Sequence, residues 1–373
     1  MTRRRRSHPN RRRVLAGLGA AGTLGLAGCA GLTGDGNDGS GDSTTTKTSY
    51  GNVPPVVEDR PSEPYYPTHV EGMELAGKQL QGDYACALTY TYPHRFWLVT
   101  GTRTRKVVIT REDTVHLMPV IWNTSAKLVP PDVSPQITVE TDGEVVADFA
   151  PWPMLSQPMG FHFGDNVALD GDGTYTVTVE VGSPSGRRTG GLAPNDPLSF
   201  EFEWDFRQVK VDAISYRDIP GQREGMPGAV PPMDMPFVPM TQAPNPDAIP
   251  GTRTQLGVTN GAEFHATIID DASDYGGGSD ESYLAVSPRT KYNRFILPMM
   301  SVSATLTHQG ETVHDGPLSN ALGAELGYHY GTTITDGAAG AELDVTVDAP
   351  PQTARHEGYE TAFVEMDGLS ATF

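Results

Sequence analysis

The chain has 373 residues, with 46 Asp and Glu against 27 Lys and Arg, and its length suggests two domains rather than one. Residues 1–29 hold seven arginines and no acid, so the remainder carries 20 basic residues (27 − 7) and a net charge of −26 (20 − 46). A surface this negative repels phosphate backbones and excludes nucleic acid as a partner, while 42 Gly and 31 Pro with few long apolar runs disfavour a helical bundle.

The first 29 residues run from an arginine cluster (Arg3 to Arg6, Arg11 to Arg13) through a short apolar core, Val14 to Gly22, to Leu26-Ala27-Gly28-Cys29. That order is an export signal, too short for a spanning helix. Asn10-Arg11-Arg12-Arg13-Val14-Leu15 resembles a twin-arginine signal. Leu26-Ala27-Gly28-Cys29 resembles a lipobox, in which Cys29 is lipidated and becomes the new N-terminus. Export, and anchoring to the outer face of the cell membrane, are therefore expected. Cys86 would be the one remaining thiol; it sits in the apolar run Tyr84-Ala85-Cys86-Ala87-Leu88, reads as core, and leaves no intrachain disulfide. Residues 30–64, rich in Gly, Asp, Ser, Thr and Pro, read as a disordered tether.

Period-2 alternation follows, as in Thr174-Tyr175-Thr176-Val177-Thr178-Val179-Glu180-Val181 and Leu198-Ser199-Phe200-Glu201-Phe202-Glu203-Trp204-Asp205-Phe206, with turns such as Thr141-Asp142-Gly143 between. This pattern predicts an antiparallel sandwich. Residues 218–250, which include Met226, Met233, Met235 and Met240 among prolines, cannot supply a sheet ladder and read as an extended linker packing over the surface. The strand pattern then resumes.

The two halves repeat. Met159-Gly160-Phe161-His162-Phe163-Gly164 matches Leu326-Gly327-Tyr328-His329-Tyr330-Gly331, and Arg187-Arg188-Thr189-Gly190 matches Arg355-His356-Glu357-Gly358. A weaker match pairs Leu117-Met118-Pro119 with Ile296-Leu297-Pro298. The chain is thus expected to be all-β: two tandem antiparallel β-sandwiches, 65–217 and 251–373, joined by a Pro/Met-rich linker.

At these residues the chain resembles the small periplasmic iron-transport lipoproteins that work with high-affinity iron permeases. The resemblance rests on Val115-His116-Leu117-Met118-Pro119, on Pro153-Met154 leading to Gly160-Phe161-His162-Phe163-Gly164-Asp165-Asn166-Val167, and on the two Arg-containing motifs above. It covers most of 105–206 and, more loosely, 290–365. It implies immunoglobulin-like sandwiches and a metal site, typically seen with copper, built from His, Met and Glu. Met118 stands where the family has Glu and Arg188 where it has His; in the second copy Phe295 and Leu297 replace the first-strand ligands, and Ala321 falls opposite Met154. The implied metal residues are His116, Met118, Met154 and His162 in one copy, and His329 and His356 in the other. Copper or iron is the implied metal, a membrane iron permease the implied partner, and a homodimer is allowed.

On a strand, His116 and Met118 point to one face, and imidazole with thioether suits Cu(I) above harder ions. Met299 and Met300 are further candidates in the second copy, though adjacent strand residues cannot both join a site. His69, His94, His265, His308 and His314 lack partners at ligand spacing and read as surface. No Gly-x-Ser-x-Gly elbow, phosphate loop or His-Glu-x-x-His helix is present, so no enzymatic activity is expected. The acidic, lysine-poor composition fits a halophilic source, an archaeon. A rival reading also follows: His162 and His329 recur as structural histidines, and the protein is a cell-surface adaptor of duplicated sandwiches that binds no metal.

Overall fold

The computed structural model describes residues 54–193, 196–335 and 340–373, so the export signal, Cys29 and most of the tether lie outside the described residues. The described residues belong to one compact unit. The first half contributes His69–Glu71 (β1), Glu74–Gln81 (β2), Tyr84–Thr91 (β3), Phe96–Thr100 (β4), Arg103–Val107 (β5), Val115–Asn123 (β6), Pro135–Thr141 (β7), Glu144–Phe149 (β8), Trp152–Ser156 (β9), Gly160–Val167 (β10), Gly173–Val181 (β11), Arg187–Thr189 (β12), Leu198–Phe206 (β13) and Tyr216–Asp218 (β14). The second contributes Thr252–Thr259 (β15), Ala262–Ile269 (β16), Ser282–Thr290 (β17), Ser301–His308 (β18), Glu311–Gly323 (β19), Gly327–Ile334 (β20), Glu342–Ala349 (β21), Ala354–Arg355 (β22) and Leu369–Thr372 (β23). The expected all-β sandwich architecture is what the chain adopts. Among the described residues no helix is long and apolar enough to cross a membrane.

One sheet runs β2-β3-β6-β10-β9-β22-β4-β5 and faces a second, β13-β11-β7-β8. Alternation decides what lies between them: Tyr175, Val177, Val179 and Val181 of β11 and Phe200, Phe202, Trp204 and Phe206 of β13 are buried, and the residues between them point to solvent. β3 and β6 are buried along their whole length. Cys86 is in that core, fully buried, as its apolar neighbours suggested.

The second half repeats this order as β15-β16-β17-β20-β19, continuing through β18, β21 and β23. A shift of 167 positions carries β8 and β9 onto the two ends of β19 (311 − 144 and 323 − 156). β19 is unbroken where the first half splits, and the residue at the break is Pro151, which has no N–H for a ladder, against Leu318 in β19. The same shift relates the pair His116 and Asn166 to Tyr283 and Thr333 (283 − 116 and 333 − 166). Strand pairing therefore corrects one sequence match: Tyr283 and Ala285 occupy the places of His116 and Met118, not Phe295 and Leu297. Those two lie beyond β17 in a turn folded back on it, with Thr290 N–H donating to the Phe295 carbonyl at 2.8 Å.

The halves also exchange strands. β22, from the second half, runs parallel to β9, with Ala354 level with Met154; β12, from the first, runs parallel to β19, with Arg187 level with Ala321. Both exchanges obey the 167 shift (354 − 187 and 321 − 154). Residues 218–250 strap the halves together more closely than a surface linker would. Met233 N–H donates to the Pro158 carbonyl (2.8 Å), Val230 N–H to Gln157 Oε1 (2.8 Å), and Thr241 takes N–H bonds from both Phe161 and Ile296. Met235 is buried, while Met226 stays exposed.

The exchange sets a steric test. A methyl group at Gly323 would collide with Thr189 Oγ1 of β12, whereas one at Gly182 meets nothing within 4 Å. Gly323→Ala is expected to lower stability by about 1–3 kcal/mol, and Gly182→Ala to change it by less than about 0.5 kcal/mol. Urea unfolding followed by intrinsic fluorescence measures both, and a single transition is expected for the two halves.

Candidate metal centre

His116 and Met118 lie two apart on β6 and share a face, since a methyl group placed at Gly164 on the neighbouring β10 would lie 2.6 Å from His116 Nε2 and 3.1 Å from Met118 Cγ. Glycine at 164 is therefore what leaves room beside that nitrogen. His116 Nδ1 donates to Asn166 Oδ1 at 2.8 Å, which sets the tautomer and leaves a lone pair on Nε2. Asn166 in turn donates from Nδ2 to the His94 carbonyl at 2.9 Å, pinning the loop before β4 against β10.

That loop brings His94 into the site. Its ring centroid lies 4.0 Å from that of His116 and 4.6 Å from that of His356. One ligand nitrogen from each of His94, His116 and His356 falls within 4.8 Å of the other two. His94 Nδ1 is 3.0 Å from Glu71 Oε2, and the other oxygen of Glu71 is 3.1 Å from His69 Nε2. His162 stands beside the three, with its ring 5.1 Å from His356 and Nδ1 donating to the Gly160 carbonyl at 3.1 Å. Met154 is cross-strand from His162 and buried against Phe96, Leu98 and Ala354. A cavity of about 310 Å³ opens onto the cluster, with Met118, His94, His356, Glu71 and Met73 in its wall.

Four Nε2 atoms, those of His94, His116, His162 and His356, are buried without a hydrogen-bond partner. An unsatisfied buried polar atom costs roughly 1–3 kcal/mol, so four together are a strained arrangement unless a cation accepts their lone pairs. For three of them protons are poor candidates. Burial, reinforced by the neighbouring imidazoles, holds His116 and His356 well below the usual histidine range, and burial brings His162 down to about 4. Neutral imidazoles such as His116 and His162, with Nδ1 hydrogens held by Asn166 and the Gly160 carbonyl, are ready metal ligands. With the Met118 thioether near, the donor set fits copper, accepts Fe(II), and offers little to Mg or Ca.

The second half does not build a like site. His329 Nδ1 donates to the Gly327 carbonyl (3.0 Å), but its Nε2 accepts a bond from the Tyr283 hydroxyl at 3.1 Å, the residue in the place of His116. Tyr275 stacks on Tyr283 with centroids 4.7 Å apart, and Ala285 and Ala321 stand in for the methionines. His329 is thus separate from the cluster and satisfied, and Met299 and Met300 line a different cavity with Asp132 and Tyr328. Arg188 does not reach the cluster either; it forms a bidentate pair with Asp132 at 2.8 and 3.0 Å. His356 leaves its own half through β22 and joins the first-half residues.

His94 is the residue the sequence left on the surface; it is 6% exposed. The only linear hint was its place just before the apolar run Phe96-Trp97-Leu98-Val99. His265 and His308 are also buried, and His265 Nε2 pairs with Glu263 at 3.0 Å, outside any cluster.

Residues 247–372 match a domain of unknown function (DUF7350). No curated protein matches the chain. Among solved structures, FetP of uropathogenic Escherichia coli is 19% identical, aligning with 37% of this chain and 96% of its own at a TM-score of 0.28. A copper-bound variant of FetP is 17% identical over 36% and 92%, with a TM-score of 0.28. A copper-bound variant of a Campylobacter jejuni protein is 16% identical over 37% and 97%, again with a TM-score of 0.28. Residues 130–207, which carry Met154 and His162, match the Fe2+ transport protein family, the family whose motifs the sequence resembles.

Proposed function

We propose that this protein is an extracytoplasmic metal-binding protein that captures copper or iron and presents it to a membrane permease, held at the outer face of the membrane by lipidated Cys29. The observation that carries the reading is the convergence of ring nitrogens of His94, His116 and His356, drawn from both halves of the chain, with the His162 ring beside them and a buried, unpartnered Nε2 on each of the four. His94, His116 and His356 hold the ion, with His162 and Met118 beside it; Asn166 and the Gly160 carbonyl fix the ring tautomers. The protein performs no bond chemistry on its cargo. The match of 130–207 to the Fe2+ transport protein family supports iron uptake as the setting. The donor set supports copper as an ion the site accepts.

The second half acts as scaffold and as donor of His356. This takes up the adaptor reading for half of the chain, because the His329 imidazole is closed by hydrogen bonds at both nitrogens.

Copper and Fe(II) titrations followed by calorimetry and elemental analysis test the site. One ion per chain is expected, with affinity reduced at least tenfold in His94→Ala, His116→Ala and His356→Ala and unchanged in His329→Ala; binding retained in a His116→Ala, His356→Ala double variant overturns the assignment. Asn166→Ala, which releases the His116 ring, is expected to lower affinity roughly 10–100-fold.

A matched pair of glycines separates site from scaffold. A methyl at Gly164 intrudes on His116 Nε2, and one at Gly331 intrudes on the Tyr283 hydroxyl. Both Gly164→Ala and Gly331→Ala are expected to cost about 1–3 kcal/mol of stability, but only Gly164→Ala weakens metal binding, as paired denaturation and titration experiments would report.

A further inference from the structure

The net charge of −26 hides a local exception. Of the 20 basic residues after position 29, four fall in nine positions, Arg103, Arg105, Lys106 and Arg111, and no acid occurs from Gly101 to Arg111. All four are exposed, and none forms an ion pair among the described residues, although six other Lys and Arg residues do. Lys106 lies over the Trp97 ring at 5.7 Å, which keeps its ammonium on the strand. Val108, in the same run, is 60% exposed.

Three of these cations lie on β5, and β5 is the last strand of its sheet, paired only to β4 among the described residues. Its outer edge is a row of free backbone N–H and C=O groups, a template for another strand. Charged edges often serve to prevent pairing. Here, however, β8, an edge of the facing sheet, carries Glu144 and Asp148, and β13 at the other edge carries Glu201, Glu203 and Asp205. A guard against pairing would be acidic in this chain; of the four edge strands of these two sheets, β5 alone carries only basic charge.

We propose that β5 is the docking edge for an extended, acidic segment of a partner protein, which adds as a strand and sets carboxylates against Arg103, Arg105, Lys106 and Arg111. A second copy of β5 is disfavoured, since it would oppose cation to cation. The acidic remainder of the surface does not cancel the patch, because charges beyond about 10 Å are largely screened at ordinary ionic strength. The position matters as well: Ile109, Thr110 and Arg111 line the cavity that leads to His94 and His356, so a partner strand on β5 sits at the rim of the metal centre. The proposal rests on charge and strand topology, not on the metal reading, and is tested on metal-free protein.

The test uses the full chain with a labelled ten-residue peptide of alternating Glu and Val. Expected results are saturable binding by fluorescence anisotropy, protection of amides 103–107 in hydrogen exchange, and no binding of a peptide with Lys in place of Glu. Arg103→Glu, Arg105→Glu, Lys106→Glu together should weaken binding at least tenfold, and neutral Arg103→Gln, Arg105→Gln should fall between. Circular dichroism and copper titration of the same variants are expected to be unchanged, so loss of the docking edge and loss of the metal site read out separately. Equal binding by the charge-reversed chain, protection elsewhere than β5, peptide-independent protection from self-association, or binding to anionic phosphatidylglycerol vesicles with none to the peptide would each overturn the proposal.

Discussion

The exchange of short strands between the halves is the constraint on which the rest of the molecule depends. β22 has only two residues, and its pairing to β9 and β4 is what carries His356 across to the histidines of β6 and β10. Without the exchange, His94, His116 and His162 would form an incomplete set, and His356 would stand beside the loop that follows its own strand. The proposed metal centre is therefore a property of the assembled pair of halves. An ion that binds only the assembled form must stabilise that assembly by linkage. The strap of residues 218–250, hydrogen-bonded to both halves, holds the same geometry in the absence of any ligand.

Two copies of one architecture have diverged by a few substitutions. At the place of His116 the second half has Tyr283, whose hydroxyl closes the lone pair of His329. At the places of Met118 and Met154 it has Ala285 and Ala321, and Tyr275 with Ile249 and Leu326 fill the volume. One neutral hydrogen bond contributes about 1 kcal/mol, and apolar filling adds more, so the second half gains stability from the residues that remove its ligands. The first half instead keeps three nitrogens open and receives a fourth from His356. The reciprocal strand shows the same division: the 167 shift sets Arg188 level with Arg355 and Thr189 level with His356 (355 − 188 and 356 − 189), one position off the sequence match, so β12 brings a threonine where β22 leads into an imidazole.

The architecture was largely legible because strand alternation and the aromatic-His-aromatic boxes are local patterns. His116 with Met118, and His162 with Gly164, could be read from spacing within one strand. His356 could be named but not placed. A linear offset assigns it to its own half, and a parallel exchange leaves no mark in one dimension. The pairing of Leu117-Met118-Pro119 with Ile296-Leu297-Pro298 failed for a related reason: a shared Pro outweighed register, and only the ladders of β17 and β20 reveal Tyr283 as the true equivalent of His116. His94 was invisible because it sits in a loop, where no period reports burial, and its position is set by Asn166 from a strand 72 residues away.

The chemistry of the site runs against the composition of the chain. The chain's 46 Asp and Glu make hard oxygen ligands plentiful, and at exposed carboxylates ions such as Mg or Ca bind weakly and exchange with salt. Around the four imidazoles, the carboxylate in contact is Glu71, and its two oxygens are already engaged by His69 and His94. Burial disfavours protonation of His116, His162 and His356 and raises the cost of any ligand that cannot take their lone pairs at once. A soft or borderline cation can satisfy them; a hydrated hard ion gains less from nitrogen than it loses in water. In the proposed site, selectivity would arise from the exclusion of oxygen donors by packing, with Gly164 leaving room beside His116 Nε2 and Asn166 orienting the ring, and it would be largely independent of the charge that dominates the surface.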